Sequence, residues 1–593
     1  MTTARWLVRP DPPETFIQEH PELPEIVSRL LYHRGLRTQT AIDEFLYPDY
    51  GENIHDPFLF RDMNRAVARI MTAKERQEKI TVHGDYDADG VSASVILASL
   101  FQALNITYDV FLPHRETDGY GLNERTVRLL ADQGTRLIIT CDCGISNVAE
   151  VTLANSLELD VIITDHHTTP RELPPATAII HPKVPGETYP DKNLAGGGVA
   201  FKLAQALLRH HHLTNDSLPT GESHEAFEKW LLDMVAIASV ADMVPLLGES
   251  RTLTKYGLIV LNKTRRIGLQ KLLLAARLRN EDGTPRRPLS AETIGFQIAP
   301  RLNAAGRMNH ANVAYKLLMA EDPTEAAELS GELHENNVAR QKLTDDLLRQ
   351  AVTQVEEQQR DAPVLVIRGP GWSTGIVGLI ASRLKDRYHR PTIVLAINAS
   401  ITGSGRSIAG FNLIATLQEV PDLFLKYGGH PMACGFTLNT EITPEKLQAA
   451  MIEKFNAQMK DADRNTVLNI DAAIALEDVN WELYDLLQKF EPFGQGNEKP
   501  VYLASGLTVV GGEPVGADGR HLRLMVRHHG PKIKKTIGWN LCSATGGGIR
   551  WGETLKIGEM IDLAFMIDVN EWNGNRELQL TIVDLRKSKN EKV

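Results

Sequence analysis

Three short apolar runs in the first third of the chain each end on acidic or imidazole side chains. KITV leads into His83-Gly84-Asp85-Tyr86-Asp87-Ala88-Asp89-Gly90, RLIIT into Asp142, and LDVIIT into Asp165-His166-His167. The runs are β-branched and alternate with helix-patterned stretches, VSASVILASLFQAL, NERTVRLLADQG and NVAEVTLANSLE. That alternation predicts βαβ units and a parallel sheet, to which TYDVFLP and ATAIIHP add two strands. Ligands of an open parallel sheet bind beyond the carboxyl ends of its strands. Three separate strands therefore deliver acids and imidazoles to one edge. A fourth acid, Asp242, closes the apolar stretch MVAIASVADMVPL.

Crowded carboxylates repel one another unless a cation neutralises them. Carboxylates with a little imidazole favour Mn²⁺ or Mg²⁺ over structural zinc. Cys141-Asp142-Cys143 has no second thiol pair beside it and reads as buried small residues. A calcium loop starting at Asp85 lacks its closing glutamate, because that place is Ile96. Singly, Asp142 or Asp242 reads equally as a helix cap, and the DHH triplet as a satisfied turn. Together they supply enough ligands for two ions sharing one acid. Such a pair activates water and clamps the attacking and leaving oxygens of a phosphoryl displacement.

A length of 593 residues predicts about four domains. With 42% apolar and 23% charged residues the chain can bury real cores, which excludes collagen-like and wholly disordered classes. No run reaches the roughly 18 apolar residues of a membrane span. The N-terminus has no apolar leader core, and four cysteines suit a reducing cytoplasm. The expected divisions are a helical cap over 1–55, the acid-bearing α/β domain over 56–290, a basic motif and long connecting helix over 291–360, a smaller α/β domain over 361–462, and a small β-barrel over 463–593. Residues 313–360 read as one long helix. GGG at 196–198 opens another helix, where close packing competes with phosphate binding. His210, His211 and His212 cannot share a helix face and read as a solvated helix end.

The net charge of −11 argues against a nucleic-acid partner until its distribution is considered. Residues 251–310 hold twelve Lys/Arg against three acids, and residues 520–556 hold eight against one. Basic zones on an acidic protein still track a phosphate backbone, although solvated faces account for them equally well.

At VHGDYDADGVSAS, TCDCGIS, TDHH, ASVADMVPL, GFQIAPRLNAAGRM, SGRSIAGFNL, YGGHPMACGF and FGQGNEKPVY the chain resembles the DHH phosphoesterase superfamily. Within it the chain is similar to the RecJ family of single-strand-specific 5′→3′ DNA exonucleases, over about residues 25–585. The resemblance implies a DHH domain, a smaller DHHA1 domain across a cleft, and a C-terminal OB-type barrel. It implies two Mn²⁺ or Mg²⁺ ions. Asp87 and Asp142, with His83 nearby, would hold one; Asp89, Asp142, His166 and Asp242 would hold the other. Asp85 and His167 would orient ligands or touch substrate. Arg301 and Asn303 would serve the reacting phosphate. Arg115, Tyr120, Arg307, Ser404, Arg406 and His430 would receive the 5′ phosphate and a base. Arg520, Arg523, Lys534 and Lys535 of the barrel would bind the strand. The implied reaction releases 5′-mononucleotides in DNA repair and recombination. The implied partners are single-stranded DNA with a 5′ end, a single-strand-binding protein and a RecQ-type helicase, with no membrane. Two other readings share these motifs: a phosphodiesterase of small substrates, and a scaffold that has lost its chemistry.

Overall fold

The computed structural model describes residues 5–459, 467–542, 550–572 and 574–588. The expected 462/463 division falls at 460–466, outside the described residues.

The acid-bearing domain is built on five parallel strands: β1 (Lys79–Gly84), β2 (Tyr108–Phe111), β3 (Thr135–Cys141), β4 (Asp160–Thr164) and β5 (Ala178–Ile180), in the order β2-β1-β3-β4-β5. Gly84 pairs with Cys141, and Cys141 with Thr164. The three central strands thus end level, and the next residue of each is an aspartate: Asp85, Asp142, Asp165. The helix Ala88–Ala103 is buried on almost every side. It lies between the sheet and the helices Gly196–His212 and Leu232–Ala241, which explains its unpatterned apolar sequence. One contiguous core joins these elements to the basic motif.

The connection is not one helix. It breaks between Asn312–Met319 and Pro323–Gln358. Pro323 stands in the first turn, where its missing N–H costs nothing, and Asp322 caps the amides of Thr324 and Glu325. This Asp-Pro signal lay in the sequence inside the stretch expected to be continuous.

The second α/β domain carries β6 (Leu365–Pro370), β7 (Thr392–Ile397), β8 (Ile401–Arg406), β9 (Phe424–His430) and β10 (Ala433–Leu438), in the order β9-β10-β8-β7-β6. Only β6 and β7 are parallel, joined through the helix Thr374–Tyr388. The last domain has β11 (Ala472–Ala473), β12 (Tyr502–Val515), β13 (His521–Arg527), β14 (Ile533–Gly538), β15 (Met560–Trp572) and β16 (Asn575–Lys587). Pairing of β12 with β15 closes this sheet into a barrel, as an OB fold requires.

The N-terminal cap packs on the barrel. Leu30, Leu31, Ile42 and Phe45 share one apolar core with Phe490, Tyr502 and Phe565. The buried Arg251 of the first domain donates to the carbonyls of Lys489 (3.0 Å) and Glu491 (2.7 Å), pinning the segment that leads into the barrel. No described helix is long and apolar enough to cross a membrane.

Candidate metal centre and substrate cleft

The end of β1 turns directly into the helix Ala88–Ala103. Asp87 caps that helix, accepting from the amides of Asp89 (3.0 Å) and Gly90 (3.2 Å). Asp89, in the first turn, is held from across the domain: its carboxylate accepts from the amides of Gly196 (2.8 Å) and Gly197 (2.6 Å). The Gly-rich helix start therefore binds an anion, as such ends do, and the anion is the protein's own aspartate. Gly196 is also a packing requirement, since a Cβ there would lie 2.4 Å from Cβ of Asp142. Asp142 takes the left-handed conformation (φ 61°) and anchors its N–H on the carbonyl of Thr164 (2.9 Å).

Asp165 does not join the cluster. Its oxygens accept from the amides of Ile145 (3.0 Å), His166 (2.7 Å) and His167 (3.1 Å) and from Nδ1 of His167 (2.8 Å). Burial pushes its pKa up, but the His167 hydrogen bond and charge outweigh it, and the carboxyl lies below its usual range. Reciprocally, burial works to lower the His167 pKa, and Asp165 carries it up to about 9. Asp165 thus orders the turn and leaves His166 free. Nε2 of His166 stands 3.1 Å from Asp142, 3.4 Å from Asp242 and 3.8 Å from Asp89. Burial, then the charge of His167, takes its pKa down to about 3, so it is a neutral ligand.

Three sets of ligand atoms lie within 4.8 Å of one another: Asp85, Asp87 and Asp142; Asp89, His166 and Asp242; and Asp142, His166 and His167. Burial, reinforced by neighbouring carboxylates, raises the pKa of Asp85, Asp89 and Asp142 well above the normal range, and that of Asp242 to about 7. One oxygen each of Asp85 and Asp142, and both ring nitrogens of His166, are buried with no hydrogen-bond partner among the described residues. Buried polar atoms are normally satisfied. Facing carboxylates with unpaired lone pairs beside neutral imidazole are the donor set that hard divalent cations take.

The remaining candidate residues fall into distinct places. His83 is fully buried, stacked on Phe111, with Nε2 unpartnered; burial lowers its pKa to about 4. It belongs to none of the three ligand sets. Tyr120 sinks its hydroxyl into the site, donating to the carbonyl of Asp142 (3.0 Å) and lying 3.0 Å from Nδ1 of His167, while the residue as a whole stays 45% exposed. Asn303 accepts from the amide of Ala88 (2.7 Å), fixing the capped helix start. Arg301 turns back to donate to the carbonyl of Gln297 (2.6 Å).

Arg307 spans the cleft to the carbonyl of Gly375 (2.8 Å). Burial, then the charges of Arg115 and Arg340, lowers its pKa to about 10, and Arg406 adds to the effect. None of Arg115, Arg307, Arg340 and Arg406 has a carboxylate within ion-pair distance among the described residues. Ser404 accepts from Arg406 (2.9 Å). His430, at the end of β9, reaches Thr168 beside the DHH turn (Nδ1 to Oγ1, 3.4 Å). The smaller domain thus brings Ser404, Arg406 and His430 to the same cleft.

In the barrel, Arg523 pairs with Glu513 (2.9 Å), Arg520 with Asp518 (2.5 Å) and Lys535 with Glu577 (3.3 Å), while Lys534 donates to the carbonyl of Val479 (2.8 Å). Three of these four face carboxylates, which none of the cleft arginines does among the described residues.

Sequence reasoning missed Arg340 and Lys183. Arg340 sat in a charged helix resembling a solvated face. Lys183 donates to the carbonyl of His166 (2.7 Å) and follows β5, a strand that ends without an acid. It also missed that His211 turns inward, 2.8 Å from His224, while its neighbours stay exposed.

Residues 79–239 match the DHH family N-terminal domain, 361–461 the DHHA1 domain, and 470–584 the RecJ OB domain. The chain is 38% identical over 585 residues to the single-stranded-DNA-specific exonuclease RecJ of Bacillus subtilis, covering 98% of this chain and 70% of that one. The protein of that name from Escherichia coli is 32% identical, with 95% and 96% covered. The crystal structure of RecJ in complex with Mn²⁺ from Thermus thermophilus superposes with a TM-score of 0.80 at 29% identity, covering 99% of this chain and 80% of that one. A Mg²⁺ complex of the same protein gives 0.75 at 27%, covering 99% and 79%.

Proposed function

The chain belongs to the RecJ family of DHH-domain nucleases, and from that membership we propose that it is a single-stranded-DNA-specific exonuclease, using two Mn²⁺ or Mg²⁺ ions and degrading from the 5′ end. The observation that carries the two-ion reading is Asp142. It is buried, has an oxygen without a partner, and is common to a ligand set with Asp85 and Asp87 and to another with His166. Asp85, Asp87 and Asp142 would hold one ion, with the unpartnered Nε2 of His83 nearby. Asp89, Asp142, His166 and Asp242 would hold the other. Such ions supply an activated water and stabilise the charge of in-line phosphoryl displacement.

The chain's own residues do the rest. Asp165 fixes the orientation of His167 and keeps its ring protonated, beside the Tyr120 hydroxyl and 3.7 Å from Asp142. Gly196 and Gly197 hold Asp89 in place through their amides, and Asn303 does the same for the helix start. Arg115, Arg307, Arg340 and Arg406 form a positive cluster beside the acids, with no carboxylate at ion-pair distance among the described residues. A terminal phosphate is the group with the charge and geometry to fill it, since guanidinium binds phosphate bidentately. That supports cleavage from the phosphorylated 5′ end with release of a mononucleotide. The cleft between the two α/β domains, bridged by Arg307–Gly375 and His430–Thr168, favours one strand over two. The barrel would hold the strand away from the chemistry. A place in repair and recombination, with a single-strand-binding protein and a RecQ-type helicase, remains part of this reading as family partnership.

The test is Asp142→Ala in Mn²⁺, with 5′- and 3′-labelled single strands and duplex. The wild type should shorten only the single strand from its 5′ end. The variant should bind the strand, take up less Mn²⁺ and cleave none. Cleavage by Asp142→Ala at the wild-type rate would refute the bridging role, and attack from the 3′ label would refute the polarity.

A further inference from the structure

A concavity of about 520 Å³ adjoins the metal rim, lined by the first domain and by the segment 493–499 that leads into the barrel, with no described residue of the smaller domain in its lining. It is lined by Met243, which directly follows Asp242, and by Asn303, which buttresses the start of the Asp87-capped helix. Two large apolar side chains on its wall face solvent: Met243 is 67% and Phe296 77% exposed. Phe296 sits in a π-helical turn, Ile294–Ile298, that runs straight into the helix carrying Arg301 and Asn303. Such turns are uncommon and concentrate at functional sites. Phe296 also lines a second hollow of about 420 Å³ with Arg277, Arg286 and Arg287. Among the described residues Arg277 and Arg287 have no ion-pair or hydrogen-bond partner through their guanidinium groups, and Arg286 donates only to Asn280 (3.2 Å). An exposed aromatic therefore stands between a largely apolar hollow that opens beside the metal ligands and a hollow where three arginines outnumber one carboxylate, Glu292, which pairs with none of them.

Resting on the exonuclease reading above, we propose that this face is a subsite for the single strand on the 3′ side of the scissile phosphate. A base stacks on Phe296 against the Met243 wall, and the following phosphates are received by Arg277, Arg286 and Arg287. The chemistry matches the occupant. A base offers a flat apolar face to an aromatic ring, and a phosphate chain offers negative charge to three guanidiniums that share their hollow with the single carboxylate of Glu292. The cleft arginines Arg115, Arg307, Arg340 and Arg406 lie toward the smaller domain. The two basic groups thus flank the metal rim, one for the 5′ end and one for the strand still to be degraded. This placement gives the first basic zone of the sequence two separate tasks.

The test uses the full chain with two substrates, a long oligothymidylate and a 5′-phosphorylated dinucleotide whose 3′ residue is abasic, so that it has a scissile phosphate but no base to stack on Phe296. Phe296→Ala should lower kcat/KM on the long strand about five- to a hundredfold more than on the dinucleotide, the equivalent of one lost base stack. Phe296→Trp should restore the long-strand value. Its added fluorescence, measured against wild type with EDTA so that no turnover occurs, should be quenched by the long strand and not by the dinucleotide. Arg277→Glu with Arg287→Glu should flatten the salt dependence of long-strand binding by about one to two units of log–log slope. Equal losses of kcat/KM on both substrates, or a Trp signal indifferent to the long strand, overturns the proposal. A wild type that cleaves neither substrate refutes the exonuclease reading instead, and the fluorescence experiment still decides the subsite.

Discussion

Gly196→Ala tests whether the metal rim is set by the first turn of a helix distant in sequence. The added Cβ would lie 2.4 Å from Cβ, 2.6 Å from Oδ1 and 2.7 Å from Cγ of Asp142, where ordinary contacts begin at 3.4 Å. Relief requires a displacement of about 1 Å, and overpacking of this kind costs about 1–3 kcal/mol. Neither partner has room to yield. Asp142 is tied by its N–H to Thr164, the last residue of a central strand, and Gly196 donates its own N–H to Asp89. The shift must therefore move Asp142, release Asp89, or both, and a 1 Å misplacement at a reacting centre costs about a hundredfold in rate. Gly198→Ala is the control: its Cβ would meet only the Leu194 side chain, at 3.3 Å. Mn²⁺ titration calorimetry, thermal unfolding without metal, and single-strand cleavage should be measured on both. Gly196→Ala should lose Mn²⁺ affinity and about two orders of magnitude in kcat, and Gly198→Ala should lose little of either. A Gly196→Ala protein that binds Mn²⁺ and cuts within about twofold of wild type would show that the amides of this helix do not position the acids.

The remaining expectations are briefer. Apparent Mn²⁺ affinity should rise with pH through neutrality. In the metal-free protein Asp242 holds its proton up to about 7 and Asp85, Asp89 and Asp142 are also raised, so below that pH the ion must displace protons; calorimetry in buffers of different ionisation enthalpy should show proton uptake by the buffer, and a pH-independent affinity would contradict the raised values. Lys202→Ala should destabilise the first domain by about 3–5 kcal/mol in urea unfolding, because it strands the buried Glu249, 2.5 Å from Nζ and also accepting from Tyr189 (2.6 Å); a loss below about 1 kcal/mol would mean the pair is not desolvated. In the barrel, reversing Arg527 and Lys532, exposed and without an ion-pair partner among the described residues, should reduce the salt slope of strand binding by about one unit each, and more than reversing Arg523 or Lys535, whose charges already face Glu513 and Glu577. Equal effects at all four positions would remove the distinction between paired and unpaired cations.

The division between what was legible in the sequence and what was not follows the range of the interactions. Strand ends were legible because β-branched runs stop abruptly at His83, Asp142 and Asp165, and the sheet then aligns Gly84, Cys141 and Thr164 without further instruction. That register converts three positions far apart in sequence into one rim. The sorting of acids within the rim was not legible, because it depends on backbone donors. Asp85 and Asp165 are both the first residue after a strand, yet Asp165 is spent on three amides and an imidazole while Asp85 keeps an oxygen unpartnered. Composition is the same in the two cases; the difference lies in which amides the following turn exposes. The same holds for cations. Arg340 and Arg349 share one charged helix, and only the first faces the cleft arginines, while Arg349 pairs with Asp346. The N-terminal cap is the extreme case, since Phe45 meets Phe490 across most of the chain and nothing local marks it as a barrel partner. A charge or an apolar stripe read from sequence reports the type of group available. Whether that group is left over for a ligand is decided by the partners the fold brings to it, and the groups left over here are the cleft arginines, the unpartnered acids, and the exposed Phe296 with the arginines beside it.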